Sequence, residues 1–206
     1  MAERVGDGPG ISLRDVTFVV LDLETTGTCP KRCAITEIGA AKFRGGHCLG
    51  TLATLVDPGQ PVPPLVTELT GIADRMLSGA PPLLHLLPTV TDFLAGAVLV
   101  GHNVGFDVAF LEAAYEANGS RPPIGRVVDT LTLARHLLDG EVPDMKLRTL
   151  AAHFRAAHQP KHRALPDALA TADVLHALIE RAAGFGVFTL EALLEFPAPV
   201  PVAAAH

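Results

Sequence analysis

Residues 17–27, TFVVLDLETTG, join a short apolar run to an acidic end. The run is rich in β-branched residues, which predicts a buried strand over Thr17–Leu23. Side chains two apart on a strand point to the same face, so Asp22 and Glu24 project together. Neighbouring carboxylates repel each other and lose hydration, and a hard cation such as Mg²⁺ or Mn²⁺ relieves both costs. An acidic pair after a strand can also merely cap the following loop, and this pair alone leaves both interpretations open.

The segments around this strand predict an α/β fold. Strand-like runs over Glu37–Arg44 and Thr51–Val56, joined by a Gly45-Gly46 turn, predict an antiparallel meander with the first strand. Proline-rich residues 61–82 should carry short helices and loops. The later pattern predicts a strand over 97–100, a strand over 127–129, and helices over 84–94, 107–117, 131–138, 146–157 and 165–183. Such alternation is typical of a mixed sheet flanked by helices.

Length and composition predict one main domain. The chain has 206 residues, of which 49% are hydrophobic, enough for one substantial core. We expect a flexible Gly-rich arm over 1–12, the folded domain over 13–190, and a Pro/Ala-rich tail or linker over 191–206. An ending of this kind suggests one domain of a longer protein.

Charge and cysteine content exclude some classes of protein. A net charge of −6 argues against a protein that coats duplex nucleic acid, yet it allows a carboxylate site whose charge metal ions offset. Three cysteines favour a reducing cytosol, and the spacing of Cys29 and Cys33 favours isolated thiols over a zinc site. No apolar run reaches the roughly 18 residues of a membrane span, so we expect a cytoplasmic protein without a membrane partner.

Two further segments place single carboxylates at helix starts. In GHNVGFD, residues 101–107, Asp107 falls in a first helical turn, where the helix dipole also favours an acid as a cap. In HRALPDA, residues 162–168, Asp167 occupies a similar position with His162 on the entering loop. Pro166 fits only near a helix start. Lys161 and Arg163 either meet substrate phosphates or belong to a solvated basic face.

In this order the three segments resemble the motifs of the DEDDh, or DnaQ-like, 3′–5′ exonucleases. FVVLDLETTG resembles the first motif, GHNVGFDVAFL the second and HRALPDALATADVL the third, and the likeness covers roughly residues 16–181. It is strongest to exonuclease domains like the epsilon subunit of DNA polymerase III. The resemblance implies a ribonuclease H-like fold, with a five-stranded mixed sheet flanked by helices.

The resemblance also implies a catalytic set. It makes Asp22, Glu24, Asp107 and Asp167 the ligands of two divalent cations, Mg²⁺ or Mn²⁺, and His162 the general base. The sister branch of the family has tyrosine four residues before the last aspartate, and here Arg163 stands at that position. The residues implied to contact the terminal nucleotide are Thr25, Thr26, Gly27, Thr70, His102, Asn103 and Phe106.

At two positions, the role of the residue is not carried over directly from the family. Thr70 stands where proofreading members often have histidine before Gly-Ile, so the chain departs from the family pattern at this nucleotide contact. Asp129, in VVDT, is expected to anchor the adjoining helix rather than bind metal.

The implied function is a 3′–5′ exonuclease that releases nucleoside 5′-monophosphates from single-stranded or frayed 3′ ends of DNA, in proofreading or repair. A proofreading subunit would have a polymerase as its partner. The alternative partner is a fused nuclease domain, because the Pro-rich end also resembles proteins that join this domain to a UvrC-type endonuclease region. One alternative is an RNA-trimming exoribonuclease of the same fold. Another is a non-catalytic scaffold that binds nucleic acid or a polymerase, although all five catalytic positions are filled.

Overall fold

A five-stranded mixed sheet forms the centre of the computed structural model, which describes residues 10–196. β1 (Thr17–Thr25), β2 (Ile35–Arg44) and β3 (His47–Leu55) form an antiparallel meander. β4 (Val98–Gly101) and β5 (Val127–Asp129) extend the sheet parallel to β1, in the order β3-β2-β1-β4-β5. The predicted mixed sheet is confirmed.

Helices cover both faces of this sheet because its central strand is apolar on both sides. Phe18 and Val20 of β1 face one core, and Val19 and Leu21 face the other. The helices are α1 (Pro64–Thr70), α2 (Asp74–Leu77), α3 (Leu83–Leu94), α4 (Gly105–Ala117), α5 (Thr130–Leu137), α6 (Leu147–His153), α7 (Ala164–Ala183) and α8 (Leu190–Glu195). Helices α5 to α8 pack on the Phe18 side, and α3 and α4 pack on the Val19 side.

Helix α7 lies directly against β1 and β2, beside the acidic end of β1. Small residues such as Ala168 and Ala172 fill its buried face. At Gly39 of β2 the approach is so close that a Cβ atom would lie 2.1 Å from the backbone of Ala164 and Leu165. Glycine at this position therefore lets the first turn of α7 rest on the strand.

The structure corrects three predicted boundaries. α6 ends at His153 rather than near 157, since Arg155 takes a left-handed φ of 53°. α8 lies within the predicted tail, and its Leu193 is buried in the core, so the boundary at 190 is wrong. At the other end, Leu13 N donates to Phe188 O, and Leu190 N donates to Ile11 O, so residues 10–12 are not a free arm. The rest of the predicted arm and tail, residues 1–9 and 197–206, lies outside the described residues.

Among residues 10–196, no helix has both the length and the apolar character needed to span a lipid bilayer.

Candidate active site

Three of the predicted metal ligands meet at the end of β1. Asp22 and Glu24 continue the row of Phe18 and Val20, and therefore face α7. There they meet Asp167 of the first turn of α7, so that carboxylate oxygens of these three residues lie within 4.8 Å of one another.

Asp107 joins this cluster from α4. It is buried, and its Oδ1 accepts a hydrogen bond of 3.0 Å from the backbone N–H of Leu23, which lies between the two acids of β1. The carboxylate of Asp107 thus forms its hydrogen bond with β1, and α4 has no side-chain cap hydrogen bond. Asp167 likewise makes no cap for α7 and instead accepts a 2.7 Å bond from Lys161 N. The capping interpretation of both aspartates is therefore wrong.

The clustering raises the proton affinity of the carboxylates. Burial is the main cause that raises the pKa of Asp22 well above its ordinary value, and the charges of Asp107 and Glu24 add to it. Burial, followed by repulsion from Asp167 and Glu37, raises the pKa of Glu24 to about 7, while Arg163 opposes this shift. Burial also raises the pKa of Asp107. This accumulation of negative charge is what a bound divalent cation relieves, and an all-carboxylate donor set fits Mg²⁺ or Mn²⁺.

His162 lies on the loop that enters α7. Its side chain is exposed, and no hydrogen bond among residues 10–196 uses it. The backbone has a φ of 54°, in the left-handed region that costs a non-glycine residue about 1–2 kcal/mol. Such a conformation persists where the surrounding contacts enforce it.

Arg163 takes part in an internal ion pair. Its Nε and Nη2 donate to the two carboxylate oxygens of Glu37, at 2.9 and 2.6 Å. Glu37 also accepts a 3.0 Å bond from the backbone N–H of Ala164. Arg163 therefore belongs to an internal ion pair, and Lys161 is exposed. Contact of either residue with substrate phosphates stays a prediction.

The sequence did not lead to Glu37 as a residue of the site, although its position in an apolar strand is unusual for an acid. It stands in the apolar strand segment ITEIGAAKF, where an acid needs a partner because burying an unpaired charge is costly. It also faces Glu24 across the antiparallel pair of β1 and β2. Sequence alone does not show that its partner is 126 residues away.

The TTG turn after β1 is held by its own hydroxyl groups. Thr25 Oγ1 donates to Gly27 O at 2.6 Å, and Thr26 Oγ1 accepts from Ala34 N at 2.9 Å. Gln60, which the sequence analysis did not single out, donates to Thr26 Oγ1 at 3.1 Å. A Cβ on Gly27 would lie 2.8 Å from Cys33 Sγ, so the turn is closely packed there. Contact of this turn with a nucleotide stays a prediction.

Two other predicted nucleotide contacts, buried Thr70 and half-buried His102, are internally hydrogen bonded. Thr70 Oγ1 donates to Val66 O and accepts from Ile72 N, so its one proton is used at the end of α1. His102 bonds Thr130 Oγ1 through Nδ1 (2.9 Å) and Met145 O through Nε2 (2.8 Å). A carbonyl only accepts, so Nε2 carries the proton, and burial lowers the pKa of this ring. In this conformation neither side chain offers a free donor to a nucleotide.

The remaining predicted contacts lie at the start of α4. Asn103 is exposed, has a φ of 65°, and donates its backbone N–H to Asp129 Oδ1 at 2.8 Å. Phe106 is half-buried against Phe110, with ring centroids 4.9 Å apart. Asp129 caps α5 by accepting from Leu131 N, which confirms the anchoring role expected for it. Asn103 and Phe106 remain available to a ligand.

The sequence of this chain matches the model of a known family. A family model described as exonuclease, RNase_T, covers residues 19–175. The chain belongs to this exonuclease family. This exonuclease domain is therefore a nuclease of the hydrolase class, and its DnaQ-like character is confirmed.

The relatives of the exonuclease domain are longer proteins, and the domain matches only a part of each. It is 47% identical over 195 residues to a Mycobacterium tuberculosis protein named as a bifunctional exonuclease/endonuclease, covering 90% of this chain and 30% of that protein. It is 39% identical over 170 residues to a PolC-type DNA polymerase III of Caldanaerobacter subterraneus, covering 82% of this chain and 12% of the polymerase. The chain thus spans less than a third of the length of either relative.

Solved structures show the same fold. Exonuclease X in complex with 5′-overhanging duplex DNA superposes with a TM-score of 0.68, at 22% identity, over 88% of this chain and 99% of that one. Escherichia coli exonuclease I in complex with a dT13 oligonucleotide gives a TM-score of 0.73 at 19% identity, over 84% of this chain and 43% of that one. The ribonuclease H-like fold is therefore confirmed.

Proposed function

We propose that this domain is a 3′–5′ exonuclease that hydrolyses DNA from its 3′ end with two divalent cations and releases nucleoside 5′-monophosphates. The observation that carries the proposal is the cluster of Asp22, Glu24 and Asp167, joined by Asp107. A purely structural role would not favour so many buried carboxylates without cations beside them, since like charges in a buried place raise the free energy of the fold.

The four carboxylates would hold the cations. When bound, two such ions position a phosphodiester and stabilise the charge that develops during its hydrolysis. Because the pKa of Glu24 is raised to about 7, this side chain keeps part of its proton near neutral pH, and a cation that binds there displaces it. The carboxylate of Asp107 is fixed in place by Leu23 N.

His162 would act as the general base. Its exposed imidazole is free of internal hydrogen bonds among residues 10–196 and stands on the loop next to Asp167. A neutral imidazole can take a proton from an attacking water. The left-handed backbone of His162 supports this role, because strained conformations concentrate at functional sites.

DNA is the favoured substrate, and a replication or repair protein is the favoured partner. The two relatives are a DNA polymerase and a bifunctional exonuclease/endonuclease, and the two solved structures contain DNA. We therefore place the activity in proofreading or repair, beside a polymerase or a second nuclease domain. Single-stranded or frayed 3′ ends suit an acidic domain, because a net charge of −6 gives little general attraction to duplex DNA.

The test is a comparison of three 3′-labelled substrates: single-stranded DNA, duplex DNA with a 3′ mismatch, and RNA of the same sequence. With Mg²⁺ or Mn²⁺ we expect release of labelled 5′-mononucleotide from DNA and slower release from RNA, and no release in EDTA. Asp22→Ala should abolish activity, and His162→Ala should lower kcat about 10²–10⁴-fold.

Asp92→Asn serves as the control, since Asp92 is an exposed acid on α3. If Asp22→Ala and His162→Ala trim DNA as fast as the wild type, the catalytic assignment fails. Faster trimming of RNA than of DNA would make RNA the substrate. Release of the 3′ label only after the rest of the strand has been degraded would reverse the polarity.

A further inference from the structure

The loop that carries His162 is fixed by a carboxylate on each side. Before it, Lys161 N donates to Asp167 Oδ1 at 2.7 Å. After it, Arg163 and Ala164 N donate three hydrogen bonds to Glu37. His162 itself has the strained φ of 54° and lacks a side-chain hydrogen bond of its own within residues 10–196. Its position therefore depends on its two neighbours.

Glu37 is placed for this task by the strand that carries it. On β2, Glu37 and Gly39 lie in the same row as Ala41 and Phe43, which face α7. Gly39 lets the backbone of Ala164 and Leu165 approach, and Glu37 receives the N–H of Ala164 and the guanidinium of Arg163. Strand β2 thus supplies both the space, at Gly39, and the hydrogen bonds, at Glu37, that fix the first turn of α7.

The geometry of the ion pair suits a positioning role. The side chain of Glu37 is 9% exposed, whereas that of Arg163 is 37% exposed. A guanidinium with that much access to water stays solvated when Glu37 is replaced by a neutral residue, so this replacement leaves no unpaired charge buried. The bidentate geometry fixes the direction of the Arg163 side chain and of the adjoining backbone.

We propose that Glu37 is a positioning residue for catalysis, which acts through Arg163 and Ala164 to hold His162 in the geometry of the general base. This inference rests on the proposed function, since it takes His162 as the base. Glu37 touches neither substrate nor reacting atoms in this arrangement. A shift of about 1 Å in a catalytic group can cost about a hundredfold in rate, so loosening the loop has a measurable effect.

The experiment is a double-mutant cycle on the full chain, with 3′-labelled single-stranded DNA and saturating Mn²⁺. Glu37→Gln keeps the side-chain size and an acceptor for Ala164 N, but it loses the charged pair. We expect it to lower kcat about ten- to a hundredfold with KM changed less than about threefold. In the His162→Ala background the same substitution should change kcat by less than about twofold, because a residue that acts through another has no further effect once that other is gone.

Glu141→Gln is the matched control. Glu141 pairs with Arg181 near the other end of α7, so this variant removes an ion pair from the same helix. It should leave kcat within about twofold of the wild type in both backgrounds. Thermal melting and the Mn²⁺ dissociation constant, measured for every variant, show whether Glu37→Gln remains folded and binds the ion with an affinity within about threefold of the wild type.

Several results would overturn the inference. If Glu37→Gln slows the His162→Ala enzyme as much as it slows the wild type, Glu37 acts independently of His162. If Glu37→Gln raises the Mn²⁺ dissociation constant by more than about threefold and lowers activity only below saturating Mn²⁺, it acts on metal affinity. If Glu37→Gln has the kcat of the wild type while His162→Ala is slow, only the inference about Glu37 fails and the proposed function stands. If His162→Ala is as fast as the wild type, the assignment of His162 as the base fails, and the inference about Glu37 fails with it.

Discussion

At the scale of single residues, Asp22 combines a proposed role in catalysis with a cost to the stability of the metal-free fold. Burial and the charges of Asp107 and Glu24 raise its pKa, which means that the ionised form is disfavoured in the metal-free fold. Asp22→Asn removes that charge and keeps the shape. Activity and stability should therefore change in opposite directions.

We expect Asp22→Asn to lower kcat by at least about a hundredfold, because even indirect partners of a metal are worth 10–100-fold. The melting temperature of the metal-free protein at pH 8 should rise by several degrees, at about 2–4 °C for each kcal/mol gained. Calorimetry in EDTA and a nuclease assay measure the two effects. Asp92→Asn carries the same charge change on an exposed site and should alter neither. A metal-free Asp22→Asn protein that melts below the wild type at pH 8 would mean that repulsion within the cluster does not destabilise the fold.

At the scale of secondary-structure elements, the contact between β2 and α7 decides whether the two halves of the site meet. A Cβ at Gly39 would lie 2.1 Å from backbone atoms of Ala164 and Leu165, and backbone cannot move aside as the end of a flexible side chain can. Gly39→Ala must therefore push α7 away from the sheet. Asp167 and His162 would move with it.

We expect Gly39→Ala to destabilise the domain by about 1–3 kcal/mol or more, the usual cost of overpacking. Activity should fall further than the loss of folded protein explains, because Asp167 leaves Asp22 and Glu24. Gly50→Ala is the matched control: Gly50 is also a strand glycine, and a Cβ there meets nothing within 4 Å. Urea unfolding and kcat should be measured for both variants. Equal stability of the two variants would show that α7 is not seated on β2 in this way.

The elements also show what the sequence could and could not predict. The apolar, β-branched run TFVVLDL predicted the strand, and the two-residue period of a strand predicted the shared direction of Asp22 and Glu24, because both depend on neighbours in the chain. The internal bonds of His102 and the pairing of Glu37 with Arg163 depend on residues far away, at 43 and 126 positions. α8 was missed since the Pro-rich composition that follows it hid a short helix whose Leu193 is buried.

At the scale of the whole molecule, the stability of the domain depends on pH through the acidic cluster, and the proposed binding of metal depends on the same carboxylates. The pKa of Glu24 rises from 4.5 to about 7 on folding, so between these values the folded state holds more protons than the unfolded state. Its contribution to stability is present at low pH and is lost as pH rises through 7. The raised pKa values of Asp22 and Asp107 act in the same direction. His102 and His176 act in the opposite direction, because burial lowers the pKa of each ring.

The stabilisation produced by Mn²⁺ separates these contributions, since both histidines titrate with and without the ion and their effect cancels in the difference. A cation must displace the protons that the cluster holds at low pH, so it binds more tightly as they leave. We expect the rise in melting temperature on adding Mn²⁺ to be small at pH 5 and to grow to pH 8, following RT ln(1 + [L]/Kd) at fixed ion concentration. Differential scanning calorimetry at pH 5, 6, 7 and 8, with either EDTA or Mn²⁺, measures it. Asp22→Asn should reduce the rise at every pH, and an increment that is equal at pH 5 and pH 8 in the wild type would mean that the ion binds away from these carboxylates.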